Sequence, residues 1–84
     1  MESRIALIGI IVEDIEASAD VNRILHDYST YIIGRMGIPY KEKKVNIISI
    51  AIDAENNVIS SLSGKLGMIK GIRVKTVYSK GANN

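Results

Sequence analysis

The sequence contains no cysteine, which excludes disulfide bridges, cysteine-based zinc or iron–sulfur sites and a thiol nucleophile. It also lacks phenylalanine and tryptophan, and its 84 residues include one histidine, His26, and one proline, Pro39. A single histidine cannot form a metal site unless several copies of the chain meet. Apolar residues still make up 46% of the chain, so the core must consist mainly of isoleucine, valine, leucine and alanine.

Long apolar segments are absent as well. No run of about 18 residues is continuously apolar, and Glu13 and Asp14 follow the first strand-like segment closely, so we predict neither a membrane span nor a cleavable signal. We therefore expect a cytoplasmic protein. A chain of this length is predicted to form one domain, residues 1–84, with residues 81–84 disordered.

The net charge is only +2, but it is unevenly placed. Residues 1–30 carry a charge of −4 and residues 31–84 a charge of +6. This asymmetry suits attraction between copies of the chain or an anionic ligand. It is too weak to predict direct binding to nucleic acid.

The apolar pattern of the first part predicts a strand followed by a helix. Residues 4–12 are almost continuously apolar, which is typical of a buried strand. Asp14 is a candidate N-cap, with Glu16 in the first helical turn. The helix is indicated by an apolar stripe formed by Ala17, Val21, Ile24, Leu25 and Tyr28.

Residues 31–39, which read YIIGRMGIP, form a second extended segment with unusual content. Glycine weakens a strand, so Gly34 and Gly37 indicate either a β-bulge or another backbone lying close. Pro39 lacks an N–H group and suits an edge strand or a strand end. We expect that the neighbour at these glycines is another subunit rather than a ligand.

The second half predicts a turn, a strand, a helix and a last strand. Residues 40–44 are a polar turn and residues 45–53 a strand with isoleucines on one side. Asp53 is the predicted cap of the second helix and Gly67 its C-terminal stop. Residues 72–79 alternate as a fourth strand. The second helix is indicated by the apolar stripe Val58, Ile59, Leu62, Leu66 and Ile69.

The resulting order, βαββαβ, predicts an α+β, ferredoxin-like domain in which a four-stranded antiparallel sheet carries two helices on one face. Ile47, Ser49 and Ala51 place small and apolar side chains on the other face, which is normally polar when it is solvated. We therefore expect self-association through the sheet face or an edge strand.

Residues that this fold uses for several common functions are missing. RNA recognition needs aromatic side chains on the central strands, and residues 4–12 and 45–53 contain none. Ser60, Ser61 and Ser63 lack the pattern of an activated nucleophile, and no pair of carboxylates stands out. We therefore predict no enzymatic activity, and the sequence does not indicate a cofactor.

Three segments within residues 4–80 together resemble the small regulators of the iron-only hydrogenase system, a family of single-domain ferredoxin-like proteins. They are VNRILHDYSTYIIGRMGIPY, VNIISIAIDA and ISSLSGKLGMIKGIRVKTVYSK. The pattern of Leu62, Gly64 and Gly67 is also distantly similar to the ACT-like, effector-sensing domain of the nickel-responsive repressor. These resemblances imply a homo-oligomer, dimer or tetramer, with ligands at subunit interfaces.

Two features of that repressor do not carry over. Its nickel site needs several histidines and a cysteine, whereas this chain has one histidine and no cysteine. No helix-turn-helix or basic arm is recognisable, so we expect no DNA-binding segment of its own. Regulation would then act through another protein.

Two functional hypotheses follow. The first is an oligomeric ligand-sensing module in which Arg35 and Lys65, each bracketed by glycines, bind a carboxylate or phosphate. The second is an adaptor that docks on a protein partner through its apolar sheet face and last strand, with Arg73 and Lys75 as contacts. The candidate ligand-binding residues are Gly34, Arg35, Gly37, Pro39, Tyr40, Gly64, Lys65 and Gly67.

Overall fold

The computed structural model describes residues 2–80 and has the predicted βαββαβ order. Its main elements are β1 (Arg4–Val12), α1 (Ser18–Asp27), β2 (Ile32–Tyr40), β3 (Val45–Ala54), α2 (Asn56–Gly67) and β4 (Ile72–Tyr78). The strand order is β2–β3–β1–β4, and every neighbouring pair is antiparallel. The ferredoxin-like prediction is confirmed. The expected disorder of residues 81–84 lies outside the described residues.

The core lies between one face of the sheet and the two helices. Every second side chain of β1 is buried, and burial of one isoleucine or leucine contributes about 1.5–3 kcal/mol. The buried residues are Ala6, Ile8, Ile10 and Val12 of β1, Ile48, Ile50, Ile52 and Ala54 of β3, and Ala17, Val21, Leu25, Ile59, Leu62 and Leu66 of the helical segments. Within residues 2–80, no helix is long and apolar enough to cross a membrane.

The connection from β1 to α1 confirms the predicted N-cap in part, because Asp14 caps a 3₁₀ turn, whereas α1 itself begins after Ala17 with no side-chain cap. The Asp14 carboxylate accepts a hydrogen bond from the Glu16 N–H at 3.0 Å and starts a short 3₁₀ turn that leads into α1. The Gly71 carbonyl accepts from the Glu13 N–H at 2.7 Å and the Asp14 N–H at 2.9 Å. Gly71 itself has φ +85°, in the left-handed region that favours glycine. This loop therefore ties the start of β4 to the start of α1.

The predicted cap of α2 at Asp53 is wrong. Asp53 lies inside β3, because Ala54 is still buried in the core and keeps the chain in the sheet for one more residue. The N-cap is Glu55, whose side chain makes no capping hydrogen bond. Gly67 is the last residue of α2, as predicted.

Edge strand β2 contains the predicted bulge. Ile32 pairs with Ile52 and Gly34 with Ala51, so Ile33 is the extra residue. The glycine adjoins the bulge but does not form it. Pro39 lies on this edge strand, where its missing N–H is tolerated.

The face of the sheet that points away from the helices is here called the open face. It is apolar, as the sequence predicts. Eight large apolar side chains on it have between 37% and 65% of their surface exposed: Ile5, Leu7, Ile11, Met36, Ile38, Tyr40, Ile47 and Val77.

Candidate functional site

A cavity lies on the helix side of the sheet, where β2 meets the start of α1, and is here called the β2-edge cavity. Its volume is about 290 Å³, near the lower limit for small-molecule sites. It is lined by Ser18, Asn22, Arg35, Gly37, Ile38, Pro39, Asn46 and Ile48. Three of the predicted ligand residues, Arg35, Gly37 and Pro39, thus share one cavity.

The register of β2 decides which of its residues reach this cavity. Paired residues of an antiparallel sheet point to the same face, and Arg35 and Gly37 pair with buried isoleucines of β3. A Cβ built on Gly37 meets no atom within 4 Å, so the glycine leaves open space in the cavity. Gly34 and Tyr40, also predicted ligand residues, belong to the open face instead.

Four polar side chains meet in the cavity as two hydrogen-bonded pairs. The Arg35 Nη2 donates to Asn22 Oδ1 at 2.5 Å, and the Asn46 Nδ2 donates to Ser18 Oγ at 3.1 Å. Among residues 2–80, no carboxylate forms a salt bridge with Arg35. Because a guanidinium has five N–H donors, most remain available to an oxyanion. The arrangement is suited to hold a small carboxylate or phosphate.

Sequence reasoning missed three of these polar residues. Ser18 and Asn22 are four residues apart, a spacing that places them on one helix face. This polar pair beside the apolar stripe was the sequence signal for a polar site on α1. Asn46 carries no such signal. It reaches Ser18 only because the sheet register brings the start of β3 beneath α1.

Lys65 lies at a different place, between the two helices. Its Nζ is 5.3 Å from the centroid of the Tyr28 ring, a cation–π contact. The Tyr28 hydroxyl is 2.8 Å from Ser61 Oγ, and this hydrogen bond, helped by Lys65 and opposed by partial burial, lowers the pKa of Tyr28 below 10.0. Lys65 and Arg35 therefore do not face a common cavity in one copy of the chain.

Gly64 and Gly67 are exposed on α2, and a Cβ on either meets no atom within 4 Å. Packing within the chain therefore does not require glycine at these two predicted ligand positions. His26 is exposed in the last turn of α1. In the described part of the chain, no three side chains of the His, Cys, Asp and Glu types are close enough to hold a metal ion.

A second cavity, of about 530 Å³, lies on the open face. The two predicted partner contacts, Arg73 and Lys75, border it on the β4 side, beside Ile11 and Ile47. Arg73 Nε is 3.5 Å from Glu13 Oε1, in a salt bridge exposed to solvent. Both cations therefore lie next to exposed apolar side chains.

The fold and the two cavities define the class of protein: a ferredoxin-like α+β domain with a polar cavity at its edge strand and an apolar open face. Residues 4–76 match the TM1266-like family, described as "Iron-only hydrogenase system regulator, putative". The chain belongs to this family, which confirms the resemblance seen in the sequence.

Similar proteins agree with this assignment. The solved structure of uncharacterized protein TM1266 from Thermotoga maritima has a TM-score of 0.90 and 41% identity, covering 94% of this chain and all of that one. The "Putative nickel-responsive regulator" of Saccharolobus solfataricus is 33% identical over 66 residues, or 79% of this chain. The chain spans about half the length (49%) of this curated relative.

A more distant structure shares the fold alone. A formyltetrahydrofolate deformylase from Pseudomonas putida KT2440 has a TM-score of 0.62 at 10% identity. The match covers 87% of this chain and 28% of that one.

Proposed function

We propose that this chain is an oligomeric regulatory module of the iron-only hydrogenase system, and that it senses a small carboxylate or phosphate bound in the β2-edge cavity. The Arg35 guanidinium carries this proposal, because it lies in that cavity, contacts the Asn22 amide and has no carboxylate partner among the described residues. The family description supports the regulatory role and the hydrogenase system. The role is non-catalytic.

Binding in this cavity would connect two parts of the fold. Ser18 and Asn22 belong to α1, whereas Arg35 and Asn46 belong to the sheet edge. An anion that accepts hydrogen bonds from both sides would hold α1 against β2. Since the outer edge of β2 is one of the two unpaired edges of the sheet, the same event changes a surface that another chain can pair with. This is a direct route from the ligand to a regulated partner.

Thermal unfolding of the purified chain tests the proposal, with amino acids, nucleotides and hydrogenase-maturation metabolites as probes. A ligand at 100 times its Kd stabilises the folded chain by about 2.7 kcal/mol. For a domain of this size, each kcal/mol raises Tm by about 4–8 °C, so we expect a rise of at least about 10 °C.

Two arginine variants locate the effect. Arg35→Ala should abolish the rise in Tm, whereas Arg23→Ala should retain it, because Arg23 pairs with Asp20 on the exposed side of α1 at 3.0 Å. A panel in which no compound stabilises the chain, or in which Arg35→Ala responds as the unsubstituted chain does, would refute the sensing function.

The adaptor hypothesis is a second candidate. The observation that favours it is that Arg73 and Lys75 lie beside the exposed apolar side chains of the open face. An acidic protein partner should be retained in stoichiometric amount on the immobilised chain and lost after charge reversal at both cations. Binding that survives the reversal would exclude this use of β4.

A further inference from the structure

We propose that the open face binds a second copy of the chain, face to face, about a two-fold axis that passes close to Gly9. The proposal rests on the oligomeric part of the proposed function, because it specifies how the subunits associate. It does not depend on a ligand at Arg35.

Three rows of side chains cross the middle of the open face from β4 to β2. The central row is Lys75, Gly9, Ser49 and Met36, and its neighbours are Arg73, Ile11, Ile47 and Ile38 on one side and Val77, Leu7, Ala51 and Gly34 on the other. In the two central strands, the middle row has only a glycine and a serine. A shallow trough therefore crosses the face at Gly9, and it forms part of the 530 Å³ cavity.

Packing within the chain does not explain the glycine at the centre of β1. A Cβ built on Gly9 meets only the Lys75 carbonyl oxygen, at 3.9 Å, which is an ordinary contact. Glycine inside a strand weakens it and often marks the close approach of another backbone. On the open face that backbone must come from another molecule, and a two-fold axis at Gly9 brings the same bare strand from both sides.

The rows beside Gly9 have complementary sizes on β3 and β2, whereas on β1 two large side chains meet, Ile11 and Leu7. The two-fold axis runs between the two facing sheets, along the central row and perpendicular to the strands. Rotation about it places each outer row of one copy opposite the other outer row of the second copy. Ile47 then faces Ala51 of the other copy, and Ile38 faces Gly34. Large side chains meet small ones at both positions, which permits the dense packing of a protein interior. This self-complementarity favours a second copy over an unrelated protein.

The area of the open face is sufficient for a specific dimer. Strands about 4.8 Å apart, rising about 3.4 Å per residue, give a four-stranded face nine residues long a projected area of roughly 500 Å². Two such faces bury on the order of 1,000 Å² in projection and more in accessible surface, which reaches the size of specific interfaces. The charges of Arg73 and Lys75 lie at the β4 margin, outside the two central strands, and charged residues are likewise depleted at the core of such interfaces.

Light scattering on the full chain tests the proposal through one matched pair of variants. The unsubstituted chain should have at least twice the chain mass of 9.2 kDa. Gly9→Glu should halve the mass, because it places a charge on the axis, while Gly64→Glu, the same change on exposed α2, should leave the mass unchanged. Both positions have space for a side chain, so circular dichroism should show that both variants fold.

Single-thiol variants test the position of the axis, because the chain has no other cysteine. Oxidation should rapidly join two copies of the Gly9→Cys chain, since facing sheets are close enough for an inter-sheet disulfide in immunoglobulin domains. The Gly64→Cys chain should stay largely uncrosslinked. Added salt should strengthen the dimer, because this axis brings the two β4 margins, with Arg73 and Lys75, near each other.

Each outcome is decisive. The proposal is overturned if the unsubstituted chain is monomeric at 100 µM, even if it then binds a different protein. It is also overturned if the oligomer keeps its mass after Gly9→Glu. If Gly9→Glu abolishes the dimer but two copies of the Gly9→Cys chain form no disulfide, the two-fold axis does not pass close to Gly9. The sensing function fails separately, through an absent Tm response in a chain that is still dimeric.

Discussion

Replacement of Gly71 by alanine should destabilise the chain more than any other glycine-to-alanine change among the described residues. Gly71 has φ +85°, and a Cβ built on it lies 2.4 Å from the Asp14 Cβ. Asp14 cannot withdraw easily, because its carboxylate caps the turn into α1 and its N–H donates to Gly71. The substitution therefore acts on the loop that sets the start of α1, where Ser18 borders the β2-edge cavity.

The expected loss has two parts. A left-handed conformation costs an alanine about 1–2 kcal/mol. Carbon atoms pack at about 3.5–4.0 Å, so the loop must shift by more than 1 Å, which breaks two hydrogen bonds worth about 0.5–1.5 kcal/mol each. The total is roughly 2–5 kcal/mol, and a loss of about 3 kcal/mol lowers Tm by roughly 12–24 °C.

Urea denaturation of four variants, Gly71→Ala, Gly64→Ala, Asp14→Gly and the double variant of Asp14 and Gly71, tests this contact. Gly71→Ala should lose the stated free energy of unfolding, whereas Gly64→Ala, on exposed α2 with nothing within 4 Å, should gain up to about 1 kcal/mol from helix propensity. In an Asp14→Gly background the clash is absent, so Gly71→Ala should cost only about 1–2 kcal/mol. An equal cost in both backgrounds, or a cost below about 0.5 kcal/mol, would refute the contact as the cause.

Three further predictions concern the core and two surface contacts. Leu62→Ala empties a fully buried position and should cost about 2–5 kcal/mol in urea denaturation, and a cost below about 1 kcal/mol would contradict its place in the core. Arg4→Ala removes a guanidinium 4.7 Å from the Tyr78 ring centroid and should cost about 1–2 kcal/mol in the same assay, with only partial recovery in Arg4→Lys. Ser61→Ala should raise the pKa of Tyr28 towards 10.0, measured by NMR titration of the ring carbons, and an unchanged pKa would exclude the hydrogen bond as its main cause. The pKa of Tyr28 is lower in the folded chain than in the unfolded chain. The stability that comes from this difference is therefore present above pH 10 and is lost as pH falls through the folded-state pKa. Ser61→Ala should reduce this pH dependence of the free energy of unfolding.

The order of elements and most of the core could be read directly from the sequence. The helical stripes around Val21 and Leu62 predict burial because periodicity is a local property of the chain, and the structure buries their residues or packs them against the core. The continuously apolar β1 predicts a buried strand, but only every second side chain of it is buried. The family could also be recognised from three continuous segments. The cap at Asp53 could not, because the extra residue of β3 depends on core packing around Ala54.

Only the tertiary structure decided which polar residues share a cavity. A shift of one residue turns a strand side chain to the other face, and the bulge at Ile33 makes such a shift just before Arg35. Arg35 therefore meets Asn22 of α1, while Tyr40 of the same strand lies on the open face. Glycines on either side of a cation mark an accessible backbone, but contacts between separate elements depend on strand register and helix placement, which no short stretch of sequence specifies.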